Sequence, residues 1–270
     1  MTIGVDIDEE DMPQGGVHLH GDAPIITWKE FCSFFVPNWK QGQHVAIIGP
    51  TDSGKTTLAL NLLPIHIWVV ILATKPRDKT LNALVAPVRK FTFGRAAGTP
   101  AGKYLKMDQW DKKLSLTKFP RRLLWPNALD LYSAETQTRV FREALAIIYR
   151  EGGWTLYMDE LWFMSAELKM AHEVRMYLQQ SRSNDVTLVI SSQRPSRIPV
   201  EVYDQSRHLF FSRDNDERNL SRISGIAFQS RHIIMNLVAN LEPHQFLYVN
   251  VLTGYMCRLT CPELNLEGVK

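Results

Sequence analysis

Very little in this sequence could cross-link it or anchor it. Its 270 residues include three cysteines, Cys32, Cys257 and Cys261. An odd number with no C-x-x-C spacing argues against a disulfide framework or a zinc site. No apolar run approaches the roughly 20 residues that span a bilayer. The longest, Ile65 to Ala73, is interrupted by His66 and suits a buried strand. The first residues are acidic where a secretory leader would be basic, so a cytoplasmic chain is expected. No internal repeat is visible. Strong one-sided charge is missing too, the formal net charge being +3. What remains is ordinary globular usage, 45% apolar and 22% charged, which excludes disordered, collagenous and coiled-coil classes. A chain of this length buries about three quarters of its unfolded surface and needs no staples to fold.

The charge is unevenly spread. Residues 1–25 carry six acids and no lysine or arginine, and read as a flexible acidic tail. Residues 26–270 read as a single domain. Within it, residues 89–122 carry ten bases against two acids, the local asymmetry sought in a nucleic-acid binder. Phe91, Phe93, Tyr104, Trp110 and Phe119 interleave with those charges. Backbone contact plus aromatic stacking holds single strands without regard to sequence. The alternative is a solvated insertion whose aromatics pack on the core.

Five short apolar runs alternate with amphipathic stretches: Val45–Ile48, Ile67–Ala73, Trp154–Met158, Val186–Ile190 and Leu209–Phe211. Runs apolar at nearly every position fit parallel strands buried on both faces, so the fold class is α/β with flanking helices. A helix is expected from Gly54 to just before Pro64, because proline cannot continue it. Ser133 caps a second, over 134–150, with Val140, Phe141, Ala144, Leu145, Ile147 and Ile148 on one face and Gly152-Gly153 beyond its end. A third spans about 165–180, with Leu168, Ala171, Val174 and Leu178 inward. The stretch at about 77–132 exceeds any ordinary crossover and reads as a basic insertion. Phe246–Val251 and Tyr255–Leu259 flank Thr253-Gly254, a hairpin signal.

Gly49-Pro50-Thr51-Asp52-Ser53-Gly54-Lys55-Thr56 fits G-x-x-x-x-G-K-[ST], between an apolar strand and a helix, with Thr57 continuing that helix. Glycines let backbone amides close on phosphate oxygens at a helix N-terminus. Lys55 then reaches the β- and γ-phosphates, and the Thr56 hydroxyl ligates Mg²⁺. ATP and Mg²⁺ are the expected cofactors. A second apolar strand ends in Asp159-Glu160, where Asp159 holds the metal and Glu160 polarises the attacking water. A metabolite kinase does not need Glu160, and no N-K-x-D base-reading motif of a GTPase is present. A third strand ends in Ser191-Ser192-Gln193-Arg194-Pro195. A polar side chain there senses the γ-phosphate, Gln193 being the first candidate and Ser192 the second.

In this order the three elements resemble the HerA–FtsK superfamily of P-loop motor ATPases, over roughly residues 40–75 and 150–260. The apolar strand running into Ser-Ser-Gln-Arg-Pro looks like that family's sensor motif, with Ser192 in place of threonine. Leu241-Glu242-Pro243-His244-Gln245-Phe246 and the hairpin after it look like the family's C-terminal β-element. The resemblance implies a RecA-like sheet in the order 5-1-4-3-2 and a ring, usually a hexamer, around DNA. It also implies an arginine reaching each site from the neighbouring subunit, for which Arg182 is the first candidate and Arg194 and Arg213 its rivals. The function expected is an ATP-hydrolysing DNA translocase, of viral genome-packaging or plasmid-pumping type, with a procapsid or portal as docking partner. Lys103, Lys106, Lys112 and Lys113, or strand-end loops, would meet the DNA, and Lys75 and Arg77 at the end of the second strand would face either nucleotide or DNA. The alternative is a P-loop assembly or secretion ATPase that acts on protein. A nucleotide-dependent scaffold without hydrolysis is a third class, against which Glu160 argues.

Overall fold

The computed structural model describes residues 23–86, 103–111, 119–126, 133–193, 198–223 and 231–264. In chain order its first elements are α1 (Trp28–Asn38), β1 (His44–Ile48), α2 (Lys55–Leu62), β2 (Val69–Leu72) and α3 (Lys79–Ala83). The middle of the chain adds β3 (Leu105–Met107), β4 (Arg121–Leu124), α4 (Ser133–Glu151), β5 (Thr155–Met158) and α5 (Ala171–Gln180). The last part adds β6 (Thr187–Ser192), α6 (Val200–Gln205), β7 (Ser206–Ser212), α7 (Glu217–Ile223), α8 (Arg231–Ala239), β8 (Gln245–Asn250) and β9 (Met256–Thr260).

Among the described residues one sheet takes nine strands, in the order β3-β4-β2-β5-β6-β1-β7-β8-β9. The order expected for five strands runs through its centre, as β7-β1-β6-β5-β2. From β3 to β7 every pairing is parallel. The sheet is wider than expected on both sides. At one edge β7–β8 and β8–β9 pair antiparallel, so the C-terminal hairpin continues the sheet.

Side-chain alternation divides the core in two. Val45, Ile47, Val69, Ile71, Tyr157 and Val189 face Phe31 and Phe35 of α1 and Leu58 and Leu62 of α2. Ala46, Ile48, Val70, Leu72, Leu156 and Ile190 face the other way, onto Phe141, Leu145 and Ile148 of α4 and Val174 and Leu178 of α5. Each Val, Leu, Ile or Phe among them contributes about 1.5–3 kcal/mol by leaving water. The expected inward face of α4 is buried throughout, and Gly152 and Gly153 follow it with φ of 68° and 71°. Leu62 closes α2 before Pro64, which sits in a 3₁₀ turn over Leu63–Ile65. Helix α1 has no clear periodic signal in the sequence, yet its start is fixed by a capping box: Thr27 Oγ1 accepts from Glu30 N, and Glu30 Oε2 from Thr27 N.

Several expectations need correction. Residues 23–25, expected in the acidic tail, join the domain: Ala23 is buried and its carbonyl, like that of Pro24, accepts from Arg258 on β9, while residues 1–22 lie outside the described residues. The third long helix starts late. A π-turn occupies Phe163–Glu167, α5 begins at Ala171, and Ala171 is exposed.

The basic stretch is not a mere surface insertion, since it supplies β3 and β4. Lys103 is buried and its Nζ donates to the Ala83 carbonyl at 3.0 Å, so it is no open DNA contact. Tyr104, Trp110 and Phe119 are buried as well, so these aromatics pack on the core. Arg122, 1% exposed, has its guanidinium 4.5 Å from the Trp110 ring and 5.0 Å from that of Trp154. Phe91, Phe93, Lys112 and Lys113 lie outside the described residues.

Candidate nucleotide-hydrolysis site

The C-terminal ends of β1, β2, β5 and β6 meet at one cleft of about 820 Å³. From β1 the chain passes directly into the loop at residues 49–54. Asp52 and Gly54 adopt left-handed backbone, φ 60° and 89°, which turns the amides of the loop inward. Gly54 is the N-cap of α2 and offers no side-chain cap, so the first amides of that helix are left for an anion. Gly49 is required for a different reason. A Cβ there would sit 1.6 Å from Ser212 Oγ and 2.9 Å from its Cβ.

Lys55 points into this cradle, with its Nζ donating to the Pro50 carbonyl at 2.6 Å. Burial lowers its pKa, and the charges of Glu160 and Asp159 resist that shift. The ammonium therefore occupies the centre of the loop, held by backbone, as a phosphate ligand should be.

β6 lies between β1 and β5, which spaces the loop from the acidic pair. Asp159 is buried. Its Oδ1 accepts from Thr56 Oγ1 at 3.1 Å and from the Tyr157 hydroxyl at 2.7 Å. The Ser191 hydroxyl donates to its backbone carbonyl, and Lys75 Nζ lies 3.0 Å from its Oδ2. Burial works against the charge of Lys75, but Asp159 and Asp78 outweigh it and raise its pKa. Burial, and then the Asp159 charge, push the Glu160 carboxyl upward, while Lys55 and the Gln193 backbone pull the other way. A carboxylate made more basic in this way is suited to accept a proton.

Gln193 stands at the tip of β6 and its Oε1 accepts from Thr51 Oγ1 at 3.1 Å. Ser192, the second sensor candidate, is buried with its hydroxyl unpartnered.

Thr56 Oγ1 and the Asp159 carboxylate are hard oxygens on one side of the cleft, a set that fits Mg²⁺. Among the described residues no group of three or more His, Cys, Asp or Glu side chains forms a metal cage. An ion that arrives on phosphates and keeps its waters does not need one.

Arg182 is exposed at the other end of the sheet, before β6 begins. Six residues of strand separate it from Gln193, about 20 Å of rise, so it cannot serve its own cleft. Arg213 is exposed just past β7, and Arg194 lies outside the described residues.

Three features of the site have no motif of their own in the sequence. Tyr157 precedes Asp159 by two residues on one strand, and the period of two could have found it. Lys75 is legible as a strand-end cation but not as the partner of Asp159. Pro243, His244, Thr260, Cys261 and Glu263 also line the cleft, where the stretch Leu241–Phe246 reads from sequence as a β-element with no part in the site.

A parallel sheet with a phosphate loop after β1, an acidic pair after β5 and a polar tip on β6 between them defines a P-loop NTPase fold of RecA-like strand order. No protein-family model matches the chain, and no curated protein does. Among solved structures it is similar to the genome packaging NTPase B204 from Sulfolobus turreted icosahedral virus 2 in complex with sulfate. That likeness has a TM-score of 0.55 at 15% identity and covers 84% of this chain and 99% of that one. The same protein in complex with ATP-gammaS matches with a TM-score of 0.51 at 16% identity, over 84% of this chain and 100% of that one. Thermomonospora curvata EccC (ATPases 2 and 3), in complex with a signal sequence peptide, matches with 0.52 at 13% identity, over 85% of this chain but 41% of that one. At such identities the likeness is one of fold. Among the described residues no helix is long and apolar enough to cross a membrane.

Proposed function

We propose that this chain is an ATP-hydrolysing DNA translocase of the genome-packaging or plasmid-pumping kind, working as a hexameric ring. The observation that carries the reading is the placement of Glu160. It stands beside Asp159, made more basic by burial, across one strand from Lys55 and next to Gln193. A protein that only holds nucleotide has no use for a base there.

In this reading Lys55 and the amides of residues 49–57 hold the β- and γ-phosphates. Thr56 and Asp159 would hold magnesium, which would offset the charge of the phosphates. Glu160 takes the proton of the attacking water, and Gln193 orients that water. Arg182 serves the cleft of the next subunit, which accounts for its distance from its own. The fold likeness to a genome packaging NTPase supports DNA as the substrate and a procapsid or portal as the docking partner. Lys106 is exposed on β3, its Nζ 4.5 Å from the Trp125 ring centroid, and presents a cation toward solvent.

The test is the rate of ATP turnover with and without duplex DNA, together with the native mass of the assembly in ATP. Stimulation by DNA in a ring-sized species is expected. The fold likeness to a protein in complex with a signal sequence peptide favours one second reading, a motor that acts on protein. Turnover indifferent to DNA but raised by a polypeptide would select it.

A further inference from the structure

Asp159 is fully engaged before any metal arrives. One carboxylate oxygen accepts from three neutral hydroxyls, Thr56 at 3.1 Å, Tyr157 at 2.7 Å and, at longer range, Ser191 at 3.4 Å. The other faces the ammonium of Lys75 at 3.0 Å. A buried carboxylate needs a compensating positive charge, and here a side chain provides it. Lys55 feels the same charge from farther off, its Nζ being bonded to the Pro50 carbonyl.

The two partners differ in freedom. The Asp159 side chain is 4% exposed, whereas that of Lys75 is 48% exposed. A second resting place lies beside it, since Asp78 Oδ2 is 3.8 Å from Lys75 Nζ. Asp78 is itself pinned, its Oδ1 accepting from Leu81 N at 2.9 Å as the cap of α3. The arrangement is a buried acid, a capping acid and a half-exposed cation within reach of both.

We propose that Lys75 is a place-holder for the divalent cation: its ammonium holds Asp159 in the nucleotide-free chain, competes with the metal there, and moves to Asp78 when Asp159 is taken. The inference rests on the reading of Thr56 and Asp159 as the magnesium ligands. It makes Lys75 a positioning residue that keeps the Asp159 carboxylate aimed at Thr56 while the site waits. Nucleotide without metal leaves this pair intact, so the chain distinguishes bare from metal-loaded nucleotide at Asp159 itself.

The test is a titration of the full nucleotide-free chain with Mn²⁺ alone, following free ion by electron paramagnetic resonance. The difference between each protein and its Asp159→Asn counterpart isolates this site from acids elsewhere. Lys75→Met should tighten Mn²⁺ binding about twofold to fivefold, in the range expected for removing a half-exposed competing cation. Lys75→Arg, which keeps the charge, should bind as weakly as the wild type. Asp78→Asn should weaken binding further, because Lys75 loses its alternative partner. Unchanged affinity in Lys75→Met, or equal tightening in Lys75→Arg, overturns the proposal. A separate titration with a fluorescent ATP analogue, with Lys55→Ala as the control, tests the nucleotide reading. Its failure would leave the Mn²⁺ comparison intact.

Discussion

The Thr51 hydroxyl donates to Gln193 Oε1 at 3.1 Å, tying the phosphate loop to the tip of the neighbouring strand. The bond joins residues 142 positions apart in sequence, both of which line the cleft. Gln193 is thereby held over the cleft. Gln193→Leu should leave ATPγS affinity nearly unchanged and lower turnover on the order of 10²-fold, the cost of removing one polar group from the reacting centre. Steady-state kinetics with a parallel binding titration decide the matter. A raised KM with unchanged kcat would show that Gln193 only binds.

Glu160 makes a double prediction. Glu160→Gln should keep nucleotide binding and lose about 10²–10⁴-fold in turnover, the usual worth of a positioned base. It should also stabilise the nucleotide-free chain at neutral pH. The carboxyl is pushed up from 4.5 by burial and Asp159, so the folded state binds its proton more tightly than the unfolded state does. Its charge therefore costs stability above the folded pKa. The cost shrinks as pH falls through that value and vanishes below the unfolded one, about 4.3. Melting curves of both proteins across pH test the sign. A Glu160→Gln variant that melts lower at neutral pH contradicts it.

Arg182 is exposed about 20 Å of strand away from Gln193. Arg182→Ala should leave nucleotide binding to a single subunit intact and lower turnover by about 10³-fold or more, as for other arginines supplied in trans. Mixing it with Lys55→Ala subunits should restore activity, because some interfaces then pair an intact cleft with an intact arginine. Absence of rescue in subunits shown to co-assemble would exclude this residue.

The two described lysines of the basic segment differ, Lys103 being buried and Lys106 exposed. Replacing Lys106, Lys112 and Lys113 by alanine should flatten the log–log salt slope of duplex-DNA binding by about 0.9 for each phosphate that is no longer neutralised. Lys103→Ala should leave the slope alone and cost about 1 kcal/mol in urea unfolding, because it removes the bond to Ala83. Identical slopes for wild type and the triple variant would move the DNA path to the loops near Lys75 and Arg77.

What was legible in the sequence was chemistry that sits on consecutive residues. The phosphate loop, Asp159-Glu160 and Gln193 each end an apolar strand, and strand order then brings them together. The five central strands were legible for the same reason, being buried on both faces. β3 and β4 were not, because Leu105–Met107 and Arg121–Leu124 carry three bases, Lys106, Arg121 and Arg122, in seven positions. Their place in the sheet depends on Arg122 lying between two indoles and on Lys103 reaching a carbonyl, interactions that offset charge in space rather than in sequence. Tyr157 was hidden by resembling any other core aromatic. The wall formed by Pro243, His244 and Cys261 comes from chain segments far from the loop they face.

The close approach of Gly49 to Ser212 carries a genetic consequence. Ser212 ends β7 and is not among the residues lining the cleft, yet its hydroxyl stands where a side chain at position 49 would begin. Enlarging position 212 thus presses on the first residue of the phosphate loop from behind. Alleles that cripple nucleotide use should arise there, and a survey confined to the lining of the cleft would overlook them.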